Sequence, residues 1–133
     1  MWAWLVRQKN LAPGTPVHVS AGGRYAQEVV GESHYQLALR KVAASTSKNS
    51  PPLVVHLIPD PRNKHDRNAI MVCHPQFGLL GHIPRETAAE VAPLLQSWLR
   101  DKKFASCNGR LVGGYGRNMS FGIWLDVDFE TLQ

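Results

Sequence analysis

Cysteine is scarce. Cys73 and Cys107 are the two in 133 residues, neither spaced as a CxxC zinc knuckle nor dense enough to staple a secreted scaffold. Their flanks, Met71-Val72-Cys73 and Phe104-Ala105-Ser106-Cys107, read as strands, and we expect buried thiols in a cytosolic protein. Long hydrophobic runs are also missing: Met1 to Val6 is broken at once by Arg7, Gln8, Lys9 and Asn10, too short a run for a signal peptide or membrane span. We therefore expect an intracellular protein, cytoplasmic or nucleoid-associated. The patterns GxxxxGK[ST], GxSxG, GxGxxG and HExxH do not occur, nor does a calcium-binding loop, so ATP hydrolysis and serine hydrolysis lack support. His56, His65, Asp66 and His82 have no metal-ligand spacing, and no metal or other cofactor is expected.

Negative charge is in short supply as well. Lys and Arg number 15 against 10 Asp and Glu, a net charge of +5 that makes a polyanion the more natural partner. The excess lies early: residues 1–50 carry six basic and two acidic residues, residues 101–133 four of each. The 44% of hydrophobic residues, with four Trp, suffices for a single packed domain.

What is present points to strands. Leu53 to Ile58, Asn68 to His74, Leu79 to Ile83, Phe104 to Val112 and Met119 to Val127 are apolar-rich runs separated by turn residues such as Pro75-Gln76-Phe77-Gly78 and Gly113 to Asn118. Upstream, Leu11-Ala12-Pro13-Gly14 is a turn signal; Thr15 to Ser20 and Tyr25 to Val30 form a hairpin candidate around Ala21-Gly22-Gly23-Arg24. Two capping boxes, Ser33-x-x-Gln36 and Thr87-x-x-Glu90, announce helices over 37–42 and from about 87 to Arg100. Pro93 predicts a kink in the second helix, or a restart near it, because proline lacks an amide hydrogen. Ala43 to Pro52, rich in Ser, Thr and Asn, reads as a mobile loop. The fold class is mainly β with two short helical segments, a small barrel of about six strands; residues 1–26 form an arm or edge strands and residues 27–133 the main domain.

One stretch stands out chemically. Asp60-Pro61-Arg62-Asn63-Lys64-His65-Asp66-Arg67-Asn68 places nine polar or turn-forming residues between two apolar strands, which reads as a ligand-facing loop. Asp66 can accept a hydrogen bond from a ligand hydroxyl, and Asn63 can both donate and accept, although either can instead stabilise its own loop. Asn68 and Asp60-Pro61 read as structural. Arg62, Lys64, Arg67 and Arg85 suit phosphates or remain ordinary solvated surface. His34, His65 and Tyr35 offer rings that could stack on bases; His82 could face ligand or core, and Phe121 could pack the barrel or meet a base.

Val29 to Tyr35, Pro59 to Val72 and Gly81-His82-Ile83-Pro84-Arg85-Glu86 together resemble the HIRAN domain family over about residues 27–130. The resemblance implies a modified oligonucleotide-binding (OB-like) barrel that recognises free 3′ ends of single-stranded DNA. It implies that Asn63 and Asp66 approach the 3′-hydroxyl, Phe121 supports a terminal base, His82 lines the pocket and Arg85 meets a phosphate. His34 and His65 stand where the best-known members stack tyrosines, and Ser33 where the helicase branch has a basic phosphate contact. Helicase motifs are absent here, so DNA repair or processing would require a separate protein. The expected function is a non-catalytic, monomeric single-stranded DNA module, with a protein-interaction scaffold and a metal-dependent nuclease as alternatives.

Overall fold

Leu53 to Pro59 and Ile70 to His74 are apolar at nearly every position, so both faces of each segment are driven out of water, and the two pair side by side within a curled sheet. The computed structural model describes residues 13–47, 49–114 and 120–132. Its strands are β1 (Thr15–His18), β2 (Gln27–Glu28), β3 (Leu53–Pro59), β4 (Ile70–His74), β5 (Gly78–His82), β6 (Lys103–Gly113) and β7 (Phe121–Leu125). Its helices are α1 (Gln36–Ala44) and α2 (Arg85–Arg100), with 3₁₀ turns at Glu32–His34 and Phe129–Leu132. The expected strand at residues 1–6, the loop residues 115–118 and Met119 lie outside the described residues.

The antiparallel path runs β2-β7-β6-β3-β4-β5, a mainly β, OB-like, open half-barrel. Its two edges meet at one bridge, where Val30 and His82 exchange backbone hydrogen bonds of 2.8 and 2.9 Å. The inner face carries Val55 and Leu57 of β3, Ile70 and Val72 of β4, Leu80, Ala105, Cys107, Ile123 and Leu125, all at most 2% exposed. Leu39 and Val42 of α1, and Ala88, Val91 and Leu95 of α2, close this core. Ile58, Met71, Cys73 and Phe104, on the alternate positions, form a second, smaller cluster. Both cysteines are buried, and burial together with the nearby Asp126 charge pushes the Cys107 thiol up to about 12, which leaves it unreactive.

Long β6 is shared. β3 takes one edge over residues 105–109, while β1 runs parallel along 103–106 and β7 antiparallel along 109–113. This arrangement corrects the predicted hairpin of Thr15–Ser20 with Tyr25–Val30, since β1 joins β6 and β2 joins β7. The reason is Asp126, 3% exposed, which sits where β1 gives way to β7. Its carboxylate accepts hydrogen bonds from Ser20 Oγ at 3.0 Å, Ala21 N at 3.1 Å and Gly23 N at 3.0 Å, so the turn amides are gathered by a side chain rather than by a hairpin. The Asp126 amide in turn donates to Asn108 O at 2.9 Å.

Neither capping box forms. Ser33 lies inside the 3₁₀ turn that follows Gly31, whose φ of 77° is left-handed, and α1 starts without a side-chain cap. The second helix begins at Arg85 behind Pro84, ahead of Thr87, and is likewise uncapped by a side chain. It runs unbroken through Pro93. Pro93 and Ala89 are both exposed, so water can satisfy the carbonyl that proline leaves unbonded. Asn68, expected to begin a strand, lies in the turn that precedes β4.

The Asp126 seam makes a testable acid-stability prediction. Burial alone would raise its pKa, but bonds from Ser20 and from the amides of Gly23, Ala21 and Tyr25 outweigh burial and hold it below the ordinary carboxylate value. A folded pKa below the unfolded value of about 3.9 means that Asp126 stabilises the fold above that pH, and that this contribution is lost as pH falls through the folded value. Asp126→Asn should lower the urea midpoint at neutral pH and flatten its decline on acidification. A variant with the wild-type midpoint and pH profile would remove Asp126 from this role.

Candidate functional site

The 60–68 loop is organised by its own short polar side chains. Asp60 N donates to Ala69 O at 2.9 Å to close its base, and Asn63 N donates to Asp60 O at 3.0 Å. Asn63 then uses both ends of its carboxamide within the loop: Oδ1 accepts from His65 N at 2.9 Å and Asp66 N at 3.1 Å, while Nδ2 donates to Asp60 Oδ2 at 3.3 Å. Asp66 Oδ1 accepts from Asn68 N at 2.9 Å. Its Oδ2 faces Arg85 Nε at 3.9 Å, an ion pair beyond hydrogen-bond length. Asp66 thus keeps an acceptor oxygen that loop construction does not consume, whereas Asn63 does not.

The segment 31–35 follows the bridge at Val30 and packs on β5. The Tyr35 ring lies 6.2 Å from the His82 ring and 6.3 Å from the His34 ring. His82 senses both this segment and the loop: a Cβ on Gly31 would lie 3.9 Å from its Nδ1, and the charges of Asp60 and Asp66 act on it. Burial lowers the His82 pKa, partly offset by those two carboxylates, so its imidazole is neutral at pH 7 and offers one donor and one acceptor nitrogen. His34 and Arg85 are exposed; Tyr35 and His82 are half-buried.

Phe121 opens β7 on a rigid mount. Gln36 Nε2 donates to Phe121 O at 2.9 Å, and Phe121 N donates to Gln36 Oε1 at 2.8 Å, so the side-chain amide pairs with the strand as a neighbouring strand would. The ring, half-buried, packs against the main core and lies against Gly114, where a Cβ would overlap it. Gln36, read in the sequence only as a cap, is therefore the link between α1 and Phe121. Glu32 was missed altogether. Its half-buried carboxylate accepts a backbone hydrogen bond from Ile123, and burial together with the Glu28 charge raises its pKa despite that bond. A Cβ on Gly122 would lie 2.7 Å from Glu32 Oε2, so the glycine in the middle of an apolar strand was the available signal.

The remaining predicted site residues of the loop are exposed. His65 is exposed, with no ring contact to His34 or Tyr35 among the described residues. Arg62, Lys64 and Arg67 are exposed, and Arg67 O accepts from Gln96 Nε2 of α2 at 3.2 Å. Among the described residues, no group of three or more His, Cys, Asp and Glu could hold a metal ion, and no helix is long and apolar enough to cross a membrane.

The family model described as HIRAN domain matches residues 23–128. No curated protein matches the chain. Among solved structures, the crystal structure of the HIRAN domain of human HLTF is similar at 21% identity and a TM-score of 0.42, over 80% of this chain and 79% of that chain.

The electrostatics of the mouth predict how His82 titrates. A folded pKa below about 6.5 means that the unfolded chain takes up the proton more readily, so the stability that His82 contributes above that pH is lost as pH falls through the folded value. Replacing Asp66 by Asn removes an anion that raises the His82 pKa, and its titration followed by NMR should move to still lower pH. A His82 midpoint above 6.5, or one unmoved by the substitution, would contradict this geometry.

Proposed function

Because this chain belongs to the HIRAN domain family, we propose that it is a non-catalytic module that binds single-stranded DNA and recognises a free 3′-hydroxyl end. The observation that carries this reading is that the Asp66 oxygen left out of the loop's own hydrogen bonds, facing Arg85, acts on a half-buried, neutral His82. A terminal hydroxyl can donate to Asp66 Oδ2 and bond with the His82 ring, two contacts that a terminal phosphate, bulky and anionic, would lose. Arg85, already facing Asp66, would meet the next phosphate of the strand. Tyr35 and Phe121 supply the aromatic surface, with His34 and His65 as smaller flanking rings, while Asn63 holds the loop in shape. Arg62, Lys64 and Arg67 add cationic surface around the loop. The module works as a monomer in the cytoplasm or on the nucleoid, alongside a separate DNA-processing protein in repair.

Three measurements separate the parts. Wild type should bind a strand ending in 3′-hydroxyl more tightly than the same strand ending in 3′-phosphate, and Asp66→Ala should erase the difference; equal binding of both ends by wild type sinks the end-recognition reading. Arg85→Ala should weaken all single strands and lower the slope of log affinity against log salt by about 0.7, the value for one single-strand phosphate contact. Phe121→Ala should cost roughly 1 to 3 kcal/mol, the worth of one stacked base, with the salt slope unchanged. No single-strand binding at low salt would instead favour a protein-interaction scaffold, for which Leu37 at 67% and Trp124 at 39% exposure offer apolar surface.

A further inference from the structure

The 60–68 loop has a second side. Asp66 meets Arg85 in the first turn of α2, Arg67 O is held by Gln96 in its fourth, and Pro61 lies by its last. The loop is therefore reached by side chains from both the start and the C-terminal part of α2. At the far end the two leave a groove of about 290 Å³, lined by Pro61, Gln96, Leu99, Arg100 and Lys102.

The rim of this groove is cationic. Arg100 and Lys102 are exposed, as are Arg62 next to Pro61 and Lys103 next to Lys102, and none of the four has an ion-pair partner among the described residues. Asp101 is the one carboxylate in the 100–103 run. A basic residue in a last helical turn is favoured by the helix dipole, which accounts for Arg100 without any ligand. It does not account for Lys102, which follows the helix with a left-handed φ of 61°, a backbone that glycine or asparagine adopts at far less cost. Thr15 N fixes the Lys102 carbonyl at 2.8 Å, and Gly14 leaves no room there for a side chain of its own. The Lys102 side chain is thus projected at the groove from a clamped backbone.

Resting on the reading of the mouth as an end-binding site, we propose that this groove takes the sugar–phosphate backbone of the same DNA strand beyond its held end. Arg100 and Lys102 meet phosphates, and the apolar wall of Pro61 and Leu99 lies against the sugars. Charge complementarity selects this occupant, since a strand anchored by its terminus has to leave along some surface and this one is rich in unpaired cations.

The test compares oligonucleotides of about 4 and about 16 residues, the range of single-strand site sizes for OB-type domains. Wild type should prefer the longer strand. The double variant Arg100→Gln with Lys102→Asn, in which asparagine tolerates the left-handed backbone, should bind the longer strand several-fold more weakly, with a salt slope lower by about 1.4 for two lost phosphate contacts. Its affinity for the shorter strand and its preference for 3′-hydroxyl over 3′-phosphate should be unchanged, and Arg100→Gln alone should give an intermediate loss. Equal loss on both lengths, or no loss on the longer one, overturns the proposal. So does displacement of the longer strand by polyglutamate as readily as by a polynucleotide of equal charge. A wild type that prefers long strands but ignores the chemistry of the 3′ end would remove the end-binding reading and leave the groove standing.

Discussion

Two hydrogen bonds between Val30 and His82 are the constraint on which the site depends. Each contributes roughly 0.5 to 1.5 kcal/mol net, so their importance is geometric rather than energetic. They join the chain after β2 to β5, the two ends of the sheet path, and in doing so set the 31–35 segment against His82. His82, at the end of β5, belongs to both sides of that junction: its backbone closes the sheet and its ring lines the mouth. Gly31 turns the chain immediately afterwards with its left-handed φ of 77°, so that Glu32 can fold back against Gly122 and Tyr35 can face His82.

Charge is distributed with a corresponding division of labour. The chain is basic overall, yet the mouth holds Asp60 and Asp66, and those carboxylates act on a histidine whose burial disfavours its protonated form. On the proposed reading, this acidic pair beside cationic surface would suit a ligand that is anionic along its length and a hydrogen-bond donor at its tip. A uniformly anionic partner would be repelled at the mouth; a neutral alcohol would gain little from the rim. The rigidity of the arrangement comes from side chains doing backbone work: Asn63 in the loop, Gln36 at the start of β7 and Asp126 at the seam of β6.

Much of the fold was legible because it rests on local pattern. The apolar run Leu53 to Ile58, the turn Pro75-Gln76-Phe77-Gly78 and the helix ending at Arg100 each appear almost where expected. The polar loop was legible for the same reason, since a run of short polar residues between two buried strands can only be a surface connection. Local signals failed where a distant partner outbid them. Ser33 and Gln36 have capping-box spacing, but Phe121, 85 positions away, takes the Gln36 amide. The amides of Ala21 and Gly23 in the predicted hairpin turn are drawn instead to Asp126, more than a hundred positions along.

From its residues alone this chain is a basic, mainly β domain with two helices and an exposed polar loop, because hydrophobic period, turn chemistry and charge are properties of neighbouring positions. Tertiary structure alone decided which of its polar residues remain available to a ligand. Asn63 and Asp66 both look able to bind a hydroxyl until the loop closes, Asp66 the better of the two; then the carboxamide oxygen of Asn63 is consumed and one oxygen of Asp66 is left facing Arg85. Likewise His82 could have been core or surface by sequence, and it became half-buried between two carboxylates only when the bridge to Val30 closed the sheet. The physical reason is the same in both cases: hydrogen-bond capacity belongs to the side chain, but whether it is already spent depends on partners that only folding brings within reach.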